Sequence, residues 1–250
     1  MTIKHPVRSD IPGLRSLWQQ AFGDTDTFLD SFFATAFSSD RSLCVSADDT
    51  IAAALYWFDC SCRGKKTAYL YAVATDENHR GKGLCHALMN KTHQLLLDSG
   101  YAGAILVPGS ESLFRFYENM GYRTFGGMEQ FSVQAAAPSA DLQKLSPSQY
   151  ASLRATYLPE GGVLQDDVTL DFLQTQAGFY AGEDCLFVAA EDDGSLFCPE
   201  FFGNRLVCSQ ILTALGKPCG LFRTPGENKF AMYLPLTPDA PPSYFGLALD

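Results

Sequence analysis

The stretch ENHRGKGLCHALM, residues 77–89, decides how the first half of the chain is interpreted. It places two glycines and two cations, RGKG at 80–83, between an apolar strand pattern at 67–74 and a helical pattern from Gly83 to about Ser99. The first amides of a helix have no internal partner and carry the positive end of the helix dipole. Because glycine lets the backbone approach a phosphate closely, the stretch predicts an anion site suited to a pyrophosphate.

Other phosphate-binding patterns do not fit this stretch. The residues do not match the GxxxxGK[ST] loop of nucleoside triphosphatases, and they do not match the GxGxxG of dinucleotide-binding folds. A solvated glycine turn without a ligand is the plain structural alternative. The bare turn does not decide between that alternative and an anion site.

Composition and charge narrow the classes of function. The chain has 250 residues and a net charge of −10, and this acidic balance argues against non-specific binding of nucleic acid or of an anionic membrane. The N-terminus MTIKHPVRSD has no apolar signal core and no apolar run reaches membrane-spanning length, so a cytoplasmic location is expected. Eight cysteines without a CxxC pair or a zinc-type spacing are expected to be reduced thiols, and no metal site is predicted.

Hydrophobic periodicity predicts helices and strands that follow one another along the chain, which indicates an α/β (α+β) fold. The first half is predicted to have helices at 10–22, 25–37, 83–99 and 110–120, strands at 43–47, 51–62, 67–74 and 102–107, a turn at 48–50, and two strands over 122–133. Residues 134–140, QAAAPSA, are predicted to be a linker, after which the order of elements repeats coarsely. The second half is predicted to have helices at 147–157, 168–179 and 206–215, a hairpin over 185–202, and strands around Gly220, Ala231 and Phe245.

Two motifs with consistent spacing resemble the GNAT superfamily of acetyl-CoA-dependent N-acyltransferases. The family pattern [Q/R]-x-x-G-x-[G/A] corresponds to RGKGLC at 80–85, with Cys85 in place of the last small residue. The family pattern L-Y-x-x-x-G-F corresponds to FYENMGY at 116–122. The stretch YAVATDENHRGKGL is also similar to the enhanced-intracellular-survival subgroup, which has two GNAT-like halves and a third domain. The resemblance implies a mixed central sheet flanked by helices in a GNAT domain at 1–135. A degenerate GNAT-like half at 141–250 is expected to follow, without the third domain.

The resemblance also implies roles for individual residues. The backbone of Val73, Ala74 and Thr75 is expected to pair with the pantetheine arm of the co-substrate, acetyl-CoA. Tyr117 is expected to be the general acid that protonates the leaving thiolate. The other residues expected to bind acetyl-CoA are Arg80, Gly81, Lys82, Gly83, Leu84, Cys85, His86, Ser110 and Glu111.

The function implied is an N-acetyltransferase that moves an acetyl group from acetyl-CoA to a primary amine by direct attack. The alternative is a non-catalytic acyl-CoA-binding protein, or a scaffold or sensor with a GNAT-like fold. The general base is left open, since Asp76 and Glu77 lie beyond the strand and the terminal carboxylate of Asp250 is a third candidate. A small-molecule or peptide amine is the expected acceptor, and a homo-oligomer is left open.

Overall fold

The structure is a computed structural model that describes residues 2–47, 50–136 and 138–249, and these form two compact units. Unit 1 comprises the described residues of Met1–Leu106, Ser110–Arg123 and Met232–Ala240. Unit 2 comprises the described residues of Val107–Gly109, Thr124–Ala231 and Pro241–Asp250. Among the described residues, no helix combines the length and the apolar composition needed to cross a membrane.

The order of elements mixes helices and strands along the whole chain. The helices are α1 (Ile11–Phe22), α2 (Asp26–Thr35), α3 (Leu84–Asp98), α4 (Glu111–Glu118), α5 (Pro147–Tyr157), α6 (Asp167–Gln174) and α7 (Cys208–Ala214). The strands are β1 (Thr2–Lys4), β2 (Ser42–Ala47), β3 (Thr50–Cys62), β4 (Lys65–Thr75), β5 (Gly103–Leu106), β6 (Arg123–Gln134), β7 (Gln143–Leu145), β8 (Leu164–Gln165), β9 (Ala177–Gly182), β10 (Cys185–Asp192), β11 (Ser195–Cys198), β12 (Phe201–Gly203) and β13 (Cys219–Pro235).

The sheet of unit 1 has the order β1-β2-β3-β4-β5 and continues with the last residues of β13. The first four strands are antiparallel, β5 runs parallel to β4, and the end of β13 runs antiparallel to β5. The ring of Tyr233 covers Gly103, where an added Cβ would lie 2.2 Å from the ring. A segment from late in the chain therefore completes the sheet of unit 1.

The two faces of this sheet carry different side chains, because successive residues of a strand point to opposite sides. One face packs against α3 and α4 in an apolar core that includes Leu55 and Leu88. The other face carries Tyr56, whose ring contacts Trp18 of α1 and Phe32 of α2. Strand β4 is central and covered on both faces, as its apolar pattern predicts.

Unit 2 has its own sheet and its own apolar cores. Its strands follow the order β7-β9-β10-β11-β13, with β12 paired to β10 and β6 paired to β13. At its centre the fully buried carboxylate of Glu200 accepts hydrogen bonds from Arg154 Nε at 2.6 Å, Tyr150 at 2.7 Å and Tyr244 at 3.1 Å. This ion pair has several hydrogen-bond partners and belongs to the core of unit 2.

The mixed α/β fold is confirmed, and three of the predicted elements are wrong. Helix α6 ends at Gln174, after which the amides of Thr175 and Gln176 donate to the carbonyls of Phe172 and Leu173. Phe179 therefore lies outside the helix, in β9 and opposite Val188. The two strands predicted over 122–133 are the single strand β6, which continues through Gly126 at a φ of +55°. Within the described part of the chain, Phe245 lies outside any strand.

Some of the predictions concern residues outside the described part of the chain. Asp48 and Asp49 of the predicted turn, Ala137 of the predicted linker and the candidate base Asp250 lie outside the described residues. The neighbouring linker residues are bound to unit 2, where the amide of Ala135 donates to Pro218 O at 2.9 Å. The division into 1–135 and 141–250 stays a prediction about two halves of the sequence.

Candidate active site

The turn before α3 has the backbone geometry of an anion site. Gly81 and Gly83 adopt φ angles of +72° and +75°, which side chains rarely tolerate, and Gly83 is the N-cap of this 15-residue helix. A glycine N-cap has no side chain that could accept a hydrogen bond from the amides of Leu84, Cys85 and His86. Those amides lie at the positive end of the helix dipole, so the turn favours a negatively charged ligand.

The two cations of the turn have different surroundings. Arg80 Nε donates to the carbonyl of Thr75 at 3.3 Å, which ties the turn to the end of β4. Lys82 is exposed between the two glycines, and an added Cβ on either glycine would meet nothing within 4 Å. The turn thus combines open space with positive charge.

Strand β4 is irregular just before this turn. One residue of β3, Leu55, lies opposite two residues of β4, Ala72 and Val73. Ala72 has a φ of +48°, which is uncommon for a residue other than glycine and marks a β-bulge. The bulge bends β4 at the point where the thioester of acetyl-CoA is predicted to lie.

The opposite edge of β4 parts from β5 in the same region. The parallel ladder joins Thr67 to Gly103 and ends where Tyr69 meets Ile105, whereas β4 itself continues to Thr75. The backbone of residues 73–75 lies beyond the end of this ladder. An extended ligand arm can pair with that edge as an added strand would.

Tyr117 lies in the core on the same face of the sheet as α3. It sits on α4 with Phe114 three residues earlier, and both side chains point into the apolar cluster that also contains Leu84. Tyr117 is 6 % exposed, and burial raises the pKa of its phenol above the usual range. The phenol therefore carries its proton at neutral pH and can donate a hydrogen bond.

The first turn of α3 and Tyr117 share one apolar cluster. The side chain of Cys85 packs against the cluster that holds Tyr117. Burial raises the pKa of Cys85 to about 11, so the thiol is uncharged. A predicted phosphate-binding residue and the predicted acid thus contact the same core.

Ser110 and Glu111 begin helix α4. Ser110 is its N-cap, and its hydroxyl accepts a hydrogen bond from the amide of Leu113 at 3.4 Å. Glu111 is exposed in the first turn, where a negative charge suits the helix dipole. Capping accounts for both residues structurally, and their contact with acetyl-CoA stays a prediction.

Asp76 already accepts hydrogen bonds from its own loop and from helix α1. Its carboxylate accepts hydrogen bonds from His79 Nδ1 at 2.8 Å, the amide of Asn78 at 3.0 Å and Gln20 Nε2 at 3.1 Å. The bond from His79, followed by the other two, lowers the pKa of Asp76. A carboxylate held in this way is a weak proton acceptor, which argues against Asp76 as the general base.

Sequence patterns did not predict two features of the site. The bulge at Ala72 has no glycine or proline to mark it. The second feature is the contact of His93 Nε2 with the hydroxyl of Tyr122, at 2.8 Å. A histidine on the inward face of an apolar helix was the available signal.

Comparisons with known proteins support the family and the fold. A family profile described as acetyltransferase (GNAT) domain matches residues 2–125. The probable N-acetyltransferase family 8 member 5 of Mus musculus is 29 % identical over 72 residues, which are 28 % of this chain and 32 % of that protein. The chain therefore matches about a third of the length of that relative.

Solved structures agree with this result at the level of the fold. A GCN5-related N-acetyltransferase from Kribbella flavida has a TM-score of 0.68 at 15 % identity, over 94 % of this chain and 72 % of that one. Eis1 from Mycobacterium abscessus has a TM-score of 0.64 at 10 % identity, over 94 % of this chain and 74 % of that one. Residues 2–125 of the chain belong to the GNAT superfamily, and the fold of the chain is similar to that of Eis1 from Mycobacterium abscessus.

Proposed function

We propose that the protein is an acetyl-CoA-dependent N-acetyltransferase that acts on a primary amine by direct attack, with Tyr117 as general acid. The observation that carries the proposal is the separation of β4 from β5 directly before the glycine turn of α3. A backbone edge followed by an anion site is the layout that a pantetheine arm and its pyrophosphate require.

The reaction needs few groups from the protein. The amine nitrogen bonds to the thioester carbonyl carbon, and the carbon–sulfur bond breaks as the tetrahedral intermediate collapses. Tyr117 gives its proton to the departing sulfur, and the proton that the amine loses passes to a base or to water. Holding amine and thioester together supplies much of the acceleration, because a bimolecular encounter becomes a reaction within one complex.

The state of Tyr117 supports the role of acid. Its phenol is protonated because burial raises the pKa, and it lies in the apolar cluster that also holds Leu84, in the first turn of the helix that would bind the pyrophosphate. A buried hydrogen-bond donor is most effective where negative charge develops on a neighbouring atom, as it does on the leaving sulfur. Arg80 and Lys82 add positive charge for the phosphates.

The acceptor is proposed as a small-molecule or peptide amine. The net charge of −10 favours approach of a cationic amine over an anionic one. The amine must lose a proton before it attacks, and Asp76 is held by its three partners. Water, or a carboxylate other than Asp76, is the proposed proton acceptor.

The experiment is a turnover assay with the full chain, acetyl-CoA and a panel of primary amines. The panel holds alkyl amines, polyamines, aminoglycosides and peptides with a free N-terminus or a lysine. Release of free thiol that depends on the amine, with acetylated product seen by mass spectrometry, is the expected result. Binding of acetyl-CoA without turnover on any amine would favour the acyl-CoA-binding alternative. Failure to bind acetyl-CoA would contradict the proposed enzyme and favour a scaffold.

A further inference from the structure

Tyr122 carries a polar group where the family pattern quoted above has phenylalanine. Its side chain is fully buried in the core of unit 1, next to helix α4. A buried hydroxyl without a hydrogen-bond partner destabilises a protein, so this group needs a partner. The partner is His93, whose Nε2 lies 2.8 Å from the Tyr122 oxygen.

His93 lies on α3, the helix whose N-terminus forms the proposed anion site. Burial, with a smaller effect of His86, lowers the pKa of His93 to about 4. Burial also raises the pKa of Tyr122 well above its usual range. Both groups are uncharged near neutral pH, so the hydrogen bond joins two neutral groups there.

Tyr122 also contacts Tyr117 directly. Its ring packs edge-on against the Tyr117 ring, with 5.7 Å between the centroids and 63° between the planes. Its amide donates to the carbonyl of Tyr117 at 3.1 Å, across a turn in which Gly121 has a φ of +94°. Tyr122 therefore touches the proposed acid through both its ring and its backbone.

We propose that Tyr122 and His93 are positioning residues that fix the ring of Tyr117 relative to helix α3, and so relative to acetyl-CoA bound at the helix N-terminus. The inference rests on the proposed function, since it assigns these residues to the same reaction. Helix α4 has eight residues and follows a loop. The hydrogen bond between Tyr122, which follows α4, and His93 of α3 therefore helps to hold this short helix against α3. Small displacements of a reacting group have large effects on rate, which gives the anchor a catalytic consequence.

The test compares three variants of the full chain. Tyr122→Phe removes the hydroxyl and keeps the ring, and His93→Leu removes the partner. Each is expected to lower kcat by about 10-fold while the KM for acetyl-CoA stays within about twofold, because the phosphate turn is intact. His93→Gln is expected to restore kcat to within about threefold of wild type, since its amide can accept or donate at a reach similar to Nε2.

A matched control separates positioning from stability. Thr92→Val removes a buried hydrogen bond to Leu88 on the same helix, and is expected to lower Tm without changing kcat. Normal kcat in Tyr122→Phe and His93→Leu, with Tm lowered as in the control, would overturn the positioning role and leave the proposed function standing. Absence of turnover in wild type would remove both.

Discussion

The turn before α3 and the segment before α7 hold the same place in the order of elements, each after a strand and before a helix. In the first, Gly83 caps a 15-residue helix and leaves its first amides without a capping side chain. In the second, the side chain of Asn204 accepts a hydrogen bond from the amide of Leu206 at 3.0 Å and so caps a short 3₁₀ helix ahead of α7. In the second segment, a side chain of the segment itself therefore caps the start of the helix.

The glycines of the two segments also differ. An added Cβ on Gly83 would meet nothing within 4 Å, whereas one on Gly203 would lie 2.5 Å from the carbonyl of Asp184. Gly83 therefore borders open space, and Gly203 allows close packing of backbone on backbone. A strand followed by glycine and a helix thus becomes an anion site only where no neighbour fills it. We infer that unit 1 binds acetyl-CoA and that unit 2 does not.

The largest expected effect is on kcat, and it distinguishes Tyr117 of unit 1 from Tyr157 of unit 2. Tyr117→Phe is expected to lower kcat by about 100- to 1,000-fold with acetyl-CoA binding retained, because the variant loses the acid and keeps the turn. The exposed Tyr157 on α5 supplies the control, since Tyr157→Phe should leave kcat unchanged. Steady-state kinetics with the best amine of the panel measures both. Equal kcat in wild type and Tyr117→Phe would remove this residue from the mechanism.

The next effect concerns the histidines, all four of which lie within the first 93 residues and therefore in unit 1. His93 has a folded pKa of about 4 and an unfolded value near 6.5, so the unfolded chain binds the extra proton first as pH falls. The effect of His93 on the free energy of unfolding is constant above pH 6.5. Between pH 6.5 and pH 4, protonation of the unfolded chain lowers that free energy by about 3 kcal/mol.

Urea unfolding of wild type and His93→Gln at pH 7 and pH 4.5 tests this effect. Glutamine does not titrate, so the variant should lose less stability on acidification than wild type does. The difference between the two proteins cancels the contribution of the carboxylates. Parallel losses in both would mean that His93 is protonated in the folded protein at pH 4.5.

The smallest effect concerns the cap in unit 2. Asn204→Ala is expected to reduce the unfolding free energy by about 1 kcal/mol, the usual value of a helix cap, because the amide of Leu206 loses its partner. Asn228→Ala, an exposed change in β13, is the control and should have little effect. Calorimetry with acetyl-CoA should give the same affinity for both variants as for wild type. Altered affinity in Asn204→Ala would place the cofactor in unit 2.

The sequence predicted the parts of the site that are local in the chain. The residue types of the glycine turn follow from its local backbone, and Tyr117 was located through the resemblance of residues 116–122 to the family pattern. Most helices and strands followed from periodicity, and the mixed sheet followed from the family resemblance. Local sequence patterns therefore predict single turns, helices and strands.

The remaining features depend on residues that are distant in sequence. The pairing of β5 with residues 232–235 joins segments that are far apart in the chain, and no local pattern encodes it. His93 and Tyr122 are 29 positions apart, and their bond needs α3 and α4 to be packed first. The bulge at Ala72 arises from a mismatch between strands, which one strand alone does not reveal.

The most direct test of the central claim is thermal unfolding with and without acetyl-CoA on wild type, Gly83→Glu and Gly100→Glu. Both glycines lie at ends of α3 with φ near +75° to +80° and open space around them, so the variants carry similar strain and the same added charge. Acetyl-CoA at about 100 times its Kd should add roughly 2.7 kcal/mol and raise Tm by about 5–11 °C. We predict that wild type and Gly100→Glu keep this rise and that Gly83→Glu loses it. A rise that survives in Gly83→Glu, or is missing in wild type, would contradict the assignment of the turn at residues 80–83 as the site that binds acetyl-CoA.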